Sequence, residues 1–187
     1  TYNPNWKIRN SLIVATTSGP ASGVRTQANG NSAAFENCTF IGFARGYLHD
    51  VGSNGLTFKN CAFYGQSLFC MSEVGTTSSS NANNATEDGT ALGASPITGI
   101  TPADFKDYDN GDYEPAKNGL LHKAGTPLDA FFTNDITGFP RSIPWDIGAY
   151  AAKPIPVTHT LRAAGLGGDY TTMNAWQAGE VRDLVEL

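Results

Sequence analysis

One hexapeptide pattern constrains the fold of this chain more than any other feature. Phe35-Glu36-Asn37-Cys38-Thr39-Phe40 and Phe58-Lys59-Asn60-Cys61-Ala62-Phe63 both read aromatic, charged, Asn, Cys, small, aromatic. A weaker copy, Ile8-Arg9-Asn10-Ser11-Leu12-Ile13, precedes them. The three Asn fall 27 and 23 residues apart, and self-similarity at a period of that size marks a stack of like units. Simple alternation fails within the motif, because Phe35 and Phe40 have opposite parity. A bend at Asn37 restores it. Phe35 then points in, Glu36 out, Cys38 in, Thr39 out and Phe40 in. Asn tolerates the left-handed conformation better than most residues other than Gly, which suits it to a corner between two strands. All three copies keep their charge outside (Arg9, Glu36, Lys59). The pattern therefore predicts corners at Asn10, Asn37 and Asn60, with Phe35, Cys38, Phe40, Phe58, Cys61 and Phe63 as a core ladder. Stacked corner Asn can also hydrogen-bond along the stack.

Turn-rich pieces separate the copies: Thr17-Ser18-Gly19-Pro20, Ala28-Asn29-Gly30-Asn31-Ser32 and Gly52-Ser53-Asn54-Gly55. Asn-Gly often closes a hairpin. Here the flanking strands copy one another in the same direction, so these turns are expected to close coils whose strands stack in parallel and in register. Charged residues make up only 16% of the 187, and Gly numbers 21, which fits many short strands and turns, an all-β chain. The net charge of −5 gives no basic footprint, so nucleic acid is not an expected partner. With no apolar run of about 18 residues, neither is a membrane.

The repeat pattern over residues 6–70 resembles the right-handed parallel β-helix proteins, the pectate-lyase-like superfamily. The resemblance implies a right-handed parallel β-helix (a solenoid), with coils over residues 1–75 and flanking grooves of the kind that bind sugars. Residues 76–96 are polar and low in complexity and read as a loop. Glu87-Asp88 lies in it; adjacent residues of an extended chain face opposite ways, so this is read as solvated rather than as a catalytic pair. Residues 97–150 end in Asp146-Ile147-Gly148-Ala149-Tyr150 and resemble the irregular tail of many bacterial and phage β-helix proteins. That resemblance implies an end-piece covering exposed strand edges, with Asp146 forming a turn. Asp107, Asp109 and Asp112 only faintly resemble a calcium loop. Counted from Asp107, position 12 is Asn118 and position 6 is Asp112, where Glu and Gly are required. Residues 151–160 read as a Pro-containing linker. Gly167-Gly168-Asp169-Tyr170-Thr171, then Met173, Trp176, Val181, Leu184 and Val185, predicts one amphipathic helix over 161–187. It resembles the capping helix that opens a further β-helix unit. The run lacks the Lys-Ser/Thr of a phosphate loop. The sequence starts inside a repeat and stops inside a helical pattern, so a piece of a longer polypeptide is expected.

Chemistry is harder to find. Cys38, Cys61 and Cys70 are an odd number. Cys38 and Cys61 should be neighbours about 4.8 Å apart on adjacent strands, as small buried hydrophobes rather than a disulfide or metal pair. His49, His122 and His159 sit beside no nucleophile motif, His49 reads as a turn-exposed side chain, and no Gly-x-Ser-x-Gly occurs. Arg9, Glu36 and Lys59 read as a charge ladder, not as paired catalytic acids. No catalytic residue, metal ligand or cofactor is assigned. Trp6, Tyr47 and Tyr64 are candidates for stacking on a glycan, while Trp145 suits a core or cap.

The expectation is a structural virion protein of a bacteriophage, such as a capsid decoration, fibre or tailspike segment, with glycan binding as an added role. The family resemblance suggests a homotrimer located in the virion, with other virion proteins and a host surface polysaccharide as partners. The rivals are a polysaccharide lyase or glycoside hydrolase acting on bacterial surface sugars, and an adhesin on the bacterial cell surface or outside the cell.

Overall fold

The computed structural model describes residues 6–16, 21–26, 33–49, 56–73, 80–128 and 132–154. The chain divides into two compact units, Thr1–Lys153 and Pro154–Leu187. The account below concerns the first. The expected capping helix over 161–187 and most of the expected linker lie outside the described residues.

The described chain is all-β, and its strands return in the same order. β1 (Trp6–Arg9), β2 (Leu12–Val14) and β3 (Ser22–Thr26) are followed by β4 (Ala33–Glu36), β5 (Thr39–Ile41) and β6 (Arg45–His49), then by β7 (Thr57–Lys59), β8 (Ala62–Tyr64) and β9 (Phe69–Glu73). Each strand pairs in parallel with the strand three places on. The sheet orders are β1-β4-β7, β2-β5-β8 and β3-β6-β9. The hexapeptide copies are in register, with Ile8↔Phe35↔Phe58 and Ile13↔Phe40↔Phe63.

The bend between the first two strands of each repeat has a backbone signature. Asn10, Asn37 and Asn60 take φ of 44°, 51° and 52°, the left-handed region that Asn enters at least cost among side-chain-bearing residues. The aromatic rings stack as the strands do. Phe35 lies on Phe58 at 5.0 Å and 9°, Phe40 on Phe63 at 4.5 Å and 3°, and the two stacks meet edge-on, Phe35 to Phe40, at 5.7 Å. Offset stacks and edge contacts are the favoured aromatic geometries. Tyr47, Met71, Cys38, Cys61 and Cys70 complete this core.

The segment read as a polar loop extends the ladders instead. Ala82 bridges Lys59 in parallel, Asn83 takes φ 50°, and β10 (Ala85–Thr86) adds to β8. A shorter repeat follows, with Ala94 bridging Ala82, Ser95 at φ 51°, and β11 (Ile97–Thr98) pairing β10. Composition misleads here because the interior of the fourth repeat is polar. Asn81 Oδ1 accepts the Phe58 N–H at 2.7 Å. Asn84 Oδ1 accepts the Cys61 N–H at 3.1 Å, and Asn84 Nδ2 donates to the Phe58 carbonyl at 2.8 Å. Side-chain amides stand in for ladder bonds where the hydrophobic core ends.

After a 3-10 turn at Pro102–Asp104 come β12 (Phe105–Asp107), a second 3-10 turn, and β13 (Asp112–Pro115), which pairs antiparallel with β12. This closing segment was expected to cover the end of the stack. It lies along the stack's side. Ile100, Phe105, Leu121 and Ile147 pack on Ile41, Ala62 and Ala85, which face outward from the second sheet. Thr39 and Ala62 are outward positions that are nonetheless 1% and 0% exposed. Gly148, at φ 103°, approaches so closely that a Cβ would stand 2.6 Å from Thr39 Oγ1. Glu36, also outward, is buried and bonded by Arg9 at 2.7 Å.

Candidate functional site

The corner row is the most highly organised polar feature. Asn60 Nδ2 donates to Asn37 Oδ1 at 3.2 Å, and Asn83 Nδ2 donates to Asn60 Oδ1 at 3.4 Å. The same amides hold the closing segment. Asn60 Nδ2 reaches the Thr126 carbonyl at 2.7 Å, while Thr126 N–H donates to Asn60 Oδ1 at 3.2 Å. Asn83 reaches Thr126 Oγ1 at 3.0 Å, Asn37 the Asp146 carbonyl at 3.0 Å, and Asn10 the Asn134 carbonyl at 2.6 Å. One row of side chains thus joins the repeats to each other and to the segment that returns beside them.

The next position forms a second row: Ser11, Cys38, Cys61 and Asn84. Ser11 Oγ, Cys38 Sγ and Cys61 Sγ each donate to the carbonyl two residues back. Cys38 also reaches the Ile8 carbonyl at 3.5 Å and Cys61 the Phe35 carbonyl at 3.4 Å. All three cysteines are free and buried. Burial pushes the Cys61 thiol well up, and pushes Cys70 up to about 12. Cys61 and Cys70, held protonated in this way, are poor nucleophiles and ligands, whereas the hydrogen bond from Cys61 holds the Cys38 pKa below its ordinary value.

The buried carboxylates among the described residues are Glu36, Asp104, Glu114, Asp135 and Asp146. Each is engaged. Asp104 accepts the N–H groups of Thr101 at 2.7 Å and Leu120 at 2.6 Å. Glu114 lies between Lys106, at 3.0 Å, and Lys153. Asp135 Oδ1 takes the Thr137 N–H and hydroxyl at 2.8 Å and the Phe139 N–H at 2.9 Å, and Oδ2 takes the Ala151 N–H at 3.0 Å. Burial would raise the Asp135 pKa, but these bonds favour the anion and leave it below the ordinary value.

Asp146 Oδ1 faces His122 Nδ1 and the Lys123 N–H, both at 2.7 Å, and its Oδ2 takes the Ala152 N–H. An Asp–His pair can orient an imidazole for base catalysis on a protein nucleophile, on water or on a substrate proton. No Ser, Thr or Cys side chain bonds His122 among the described residues. Arg141 is buried above the Trp145 ring and donates to the carbonyls of Asp146, Gly148, Ala149 and Tyr150 and to Asn10 Oδ1. Burial lowers its pKa to about 10, so it stays charged at neutral pH.

Glu87 and Asp88 are half-buried and bonded to backbone groups, not freely solvated as the sequence suggests. Glu87 Oε1 takes the Gln66 N–H at 2.6 Å, Asp88 Oδ2 the Cys70 N–H at 2.9 Å, and Thr90 Oγ1 the Met71 N–H at 2.9 Å. Asp88 and Thr90 thus satisfy the free edge of β9, and Glu87 the chain just before it. Burial opposes the Asp88 charge, but hydrogen bonds from Thr90 and the Cys70 N–H outweigh it and lower the pKa. The acidic group at 107–112 forms a hairpin end. Asp107 takes Asn110 Nδ2 at 2.9 and 2.8 Å, and Asp112 pairs with Lys106 at 3.0 Å.

The candidate glycan-stacking rings separate. Trp6 is 62% exposed. Tyr47 is fully buried against Phe58, with its hydroxyl accepting the Leu56 N–H at 3.1 Å, so it offers no face to a sugar. Tyr64 is half-buried among Phe105 and Tyr108 beneath the closing segment. His49, read as turn-exposed, is 1% exposed and lies parallel to the Tyr47 ring. Trp145 is buried beside Phe132.

The third sheet carries an open groove of about 420 Å³ lined by Ala21, Ser22, Arg25, Arg45 and Leu48. Its origin is local. A Cβ on Gly46 would point into the core, meeting Phe63 at 2.5 Å and the Cys70 carbonyl at 2.3 Å, and Tyr47 is also in the core. Two consecutive inward residues leave a gap in the outward row between Arg45 and Leu48. β3 repeats the arrangement with Gly23 and Val24 between Ser22 and Arg25.

No family model matches the chain, and comparison with curated proteins and with solved structures gives no match. Three structural features escaped the sequence reading. Asn83 could have been found from the period alone, since it falls 23 residues after Asn60. Arg141 and the groove depend on non-local packing and leave no periodic trace.

Proposed function

We propose that this chain is a right-handed parallel β-helix that serves as a structural component of a bacteriophage virion, of the decoration, fibre or tailspike type, acting as a homotrimer beside other virion proteins. The observation that supports a structural rather than an enzymatic role is the engagement of every buried carboxylate among the described residues. Asp104, Asp135 and Asp146 bind backbone N–H groups, and Glu36 and Glu114 bind cations. None is held as an acid–base pair of the kind glycoside cleavage requires. The in-register ladders and the corner row favour stiffness over motion.

Purified phage particles, analysed by quantitative mass spectrometry, should contain this chain in a fixed ratio to the major capsid or tail protein. The reading fails if the chain is missing from particles. It also fails if the isolated protein depolymerises a bacterial surface polysaccharide and an Asp or Glu substitution abolishes that activity. A second reading, adhesin-like glycan binding, draws on the exposed ring of Trp6. It would show as glycan binding that Trp6→Ala removes.

A further inference from the structure

We propose that the groove on the third sheet is a binding site for a tetrahedral oxyanion, the phosphate or sulfate group of a small ester. The sheet presents two outward rows on either side of the inward pairs. One row is Ser22, Arg45 and Phe69, and the other is Arg25, Leu48 and Ser72, as the register fixes them. The rows lie three residues apart, a span of about 10 Å along the strands. Between them the outward surface carries no side chain, because Gly23 with Val24 and Gly46 with Tyr47 turn inward. Arginine side chains from adjacent strands therefore flank the gap, Arg45 in one row and Arg25 in the other.

The lining favours an oxyanion. Two of its five residues are Arg and none is acidic, in a chain whose net charge is −5. Each guanidinium carries five N–H donors in a planar fork, so one that bonds within the protein still has donors for a ligand. The Arg45 guanidinium lies 5.7 Å from the centre of the Phe69 ring, which holds it at the groove's edge. Ser22 and Arg45 stand in one row and Arg25 in the other, so donors flank the gap on both sides. The three free oxygens of a phosphate or sulfate ester can be shared between the two rows, whereas a planar carboxylate is filled by a single guanidinium fork. Leu48 and Ala21 supply the apolar wall for the rest of the ester, and the volume is in the range of small-ligand sites. The site is independent of the virion assignment, since the groove would bind the same group in any setting.

The test is titration of the full chain, followed by amide NMR and calorimetry. The probes are glucose 6-phosphate, glucose 6-sulfate, inorganic phosphate, glucuronate and glucose. The phosphate and sulfate esters should shift the amides of Ser22, Arg45 and Leu48 and bind at least tenfold more tightly than glucuronate, with glucose silent. Tighter binding of the ester than of inorganic phosphate would assign the ligand to an ester, and the reverse would assign it to the free ion. Arg25→Ala and Arg45→Ala should each weaken binding about tenfold or more. Arg45→Lys should recover part of the loss, because the charge returns without the fork. Circular dichroism checks that the variants fold. Equal binding of glucuronate or glucose, or unchanged binding in both Ala variants, would overturn the proposal.

Discussion

Replacing Asn60 separates the two jobs of a corner residue, its backbone conformation and its side-chain bonds. Asn60 is fully buried at φ 52° and exchanges four hydrogen bonds with Asn37, Asn83 and Thr126. Asn60→Ala removes all four; the two to Thr126 are worth about 1 kcal/mol each, and the stranded Asn37 and Asn83 amides cost about 1 kcal/mol more. Ala at that φ adds roughly 1–2 kcal/mol of left-handed strain. The expected loss is about 4 kcal/mol, a shift of about 2 M in the urea midpoint for a slope near 2 kcal/mol/M. Asn60→Gly loses the same bonds but escapes the strain, while adding about 0.5–1 kcal/mol of chain entropy. It should be less damaging than Ala by about 1 kcal/mol. Urea unfolding of both variants gives the comparison. Hydrogen exchange at Thr126 and Gly148, whose N–H groups bond Asn60, shows whether the closing segment loosens first. If Gly is no better than Ala, the strained-corner argument fails. If both variants stay within about 0.5 kcal/mol of the parent, the row holds nothing together.

Three other perturbations test separate parts of the structure. Phe58 stacks on Phe35 and meets Phe40, Phe63 and Tyr47 in the core, so Phe58→Ala should cost about 3–5 kcal/mol in the same urea assay. Asp135 has a folded pKa below its ordinary value. Its contribution is therefore present above the unfolded carboxyl pKa of about 3.9 and is lost as pH falls through the lower folded value. Asp135→Asn should lower stability at pH 7 and flatten the acid limb of a midpoint-against-pH curve. Asp88→Ala combined with Thr90→Val frees the N–H groups of Cys70 and Met71 on the edge of β9. An uncapped edge pairs with other chains, so light scattering should show concentration-dependent association absent from the parent.

The repeat and its bend were legible because each depends on local rules. Period gave the stacking, and the parity break within Phe35–Phe40 required a turn at Asn37, the residue type that best accepts one. The outward positions were less legible. Thr39 and Ala62 do point away from the core, but a segment about a hundred residues later covers them, and nothing in their own repeat announces that contact. Residues 80–98 were obscured by composition, since Asn81, Asn84 and Thr86 occupy positions that are hydrophobic in earlier copies. Tyr47 and His49 lie beside Gly46, where two consecutive residues turn inward, and alternation cannot place such residues.

The polar fourth repeat explains how the stack ends. A parallel stack of hydrophobic repeats would otherwise leave an apolar layer and three rows of free N–H groups. Asn81 and Asn84 replace the Phe and Cys of earlier repeats and bond the backbone of the third. Asp88 and Thr90 do the same for β9, and Glu87 for the Gln66 N–H just before it. The acids that look most suited to chemistry in the sequence are thus spent on backbone groups that have no strand left to meet. Against the effect of burial, hydrogen bonds from Thr90 and the Cys70 N–H hold the Asp88 pKa below its ordinary value, so it is a poor proton donor near neutral pH. The bonds that close the fold occupy these residues, and the outward groups that a ligand would meet include exposed Trp6 and Arg25 and half-buried Arg45.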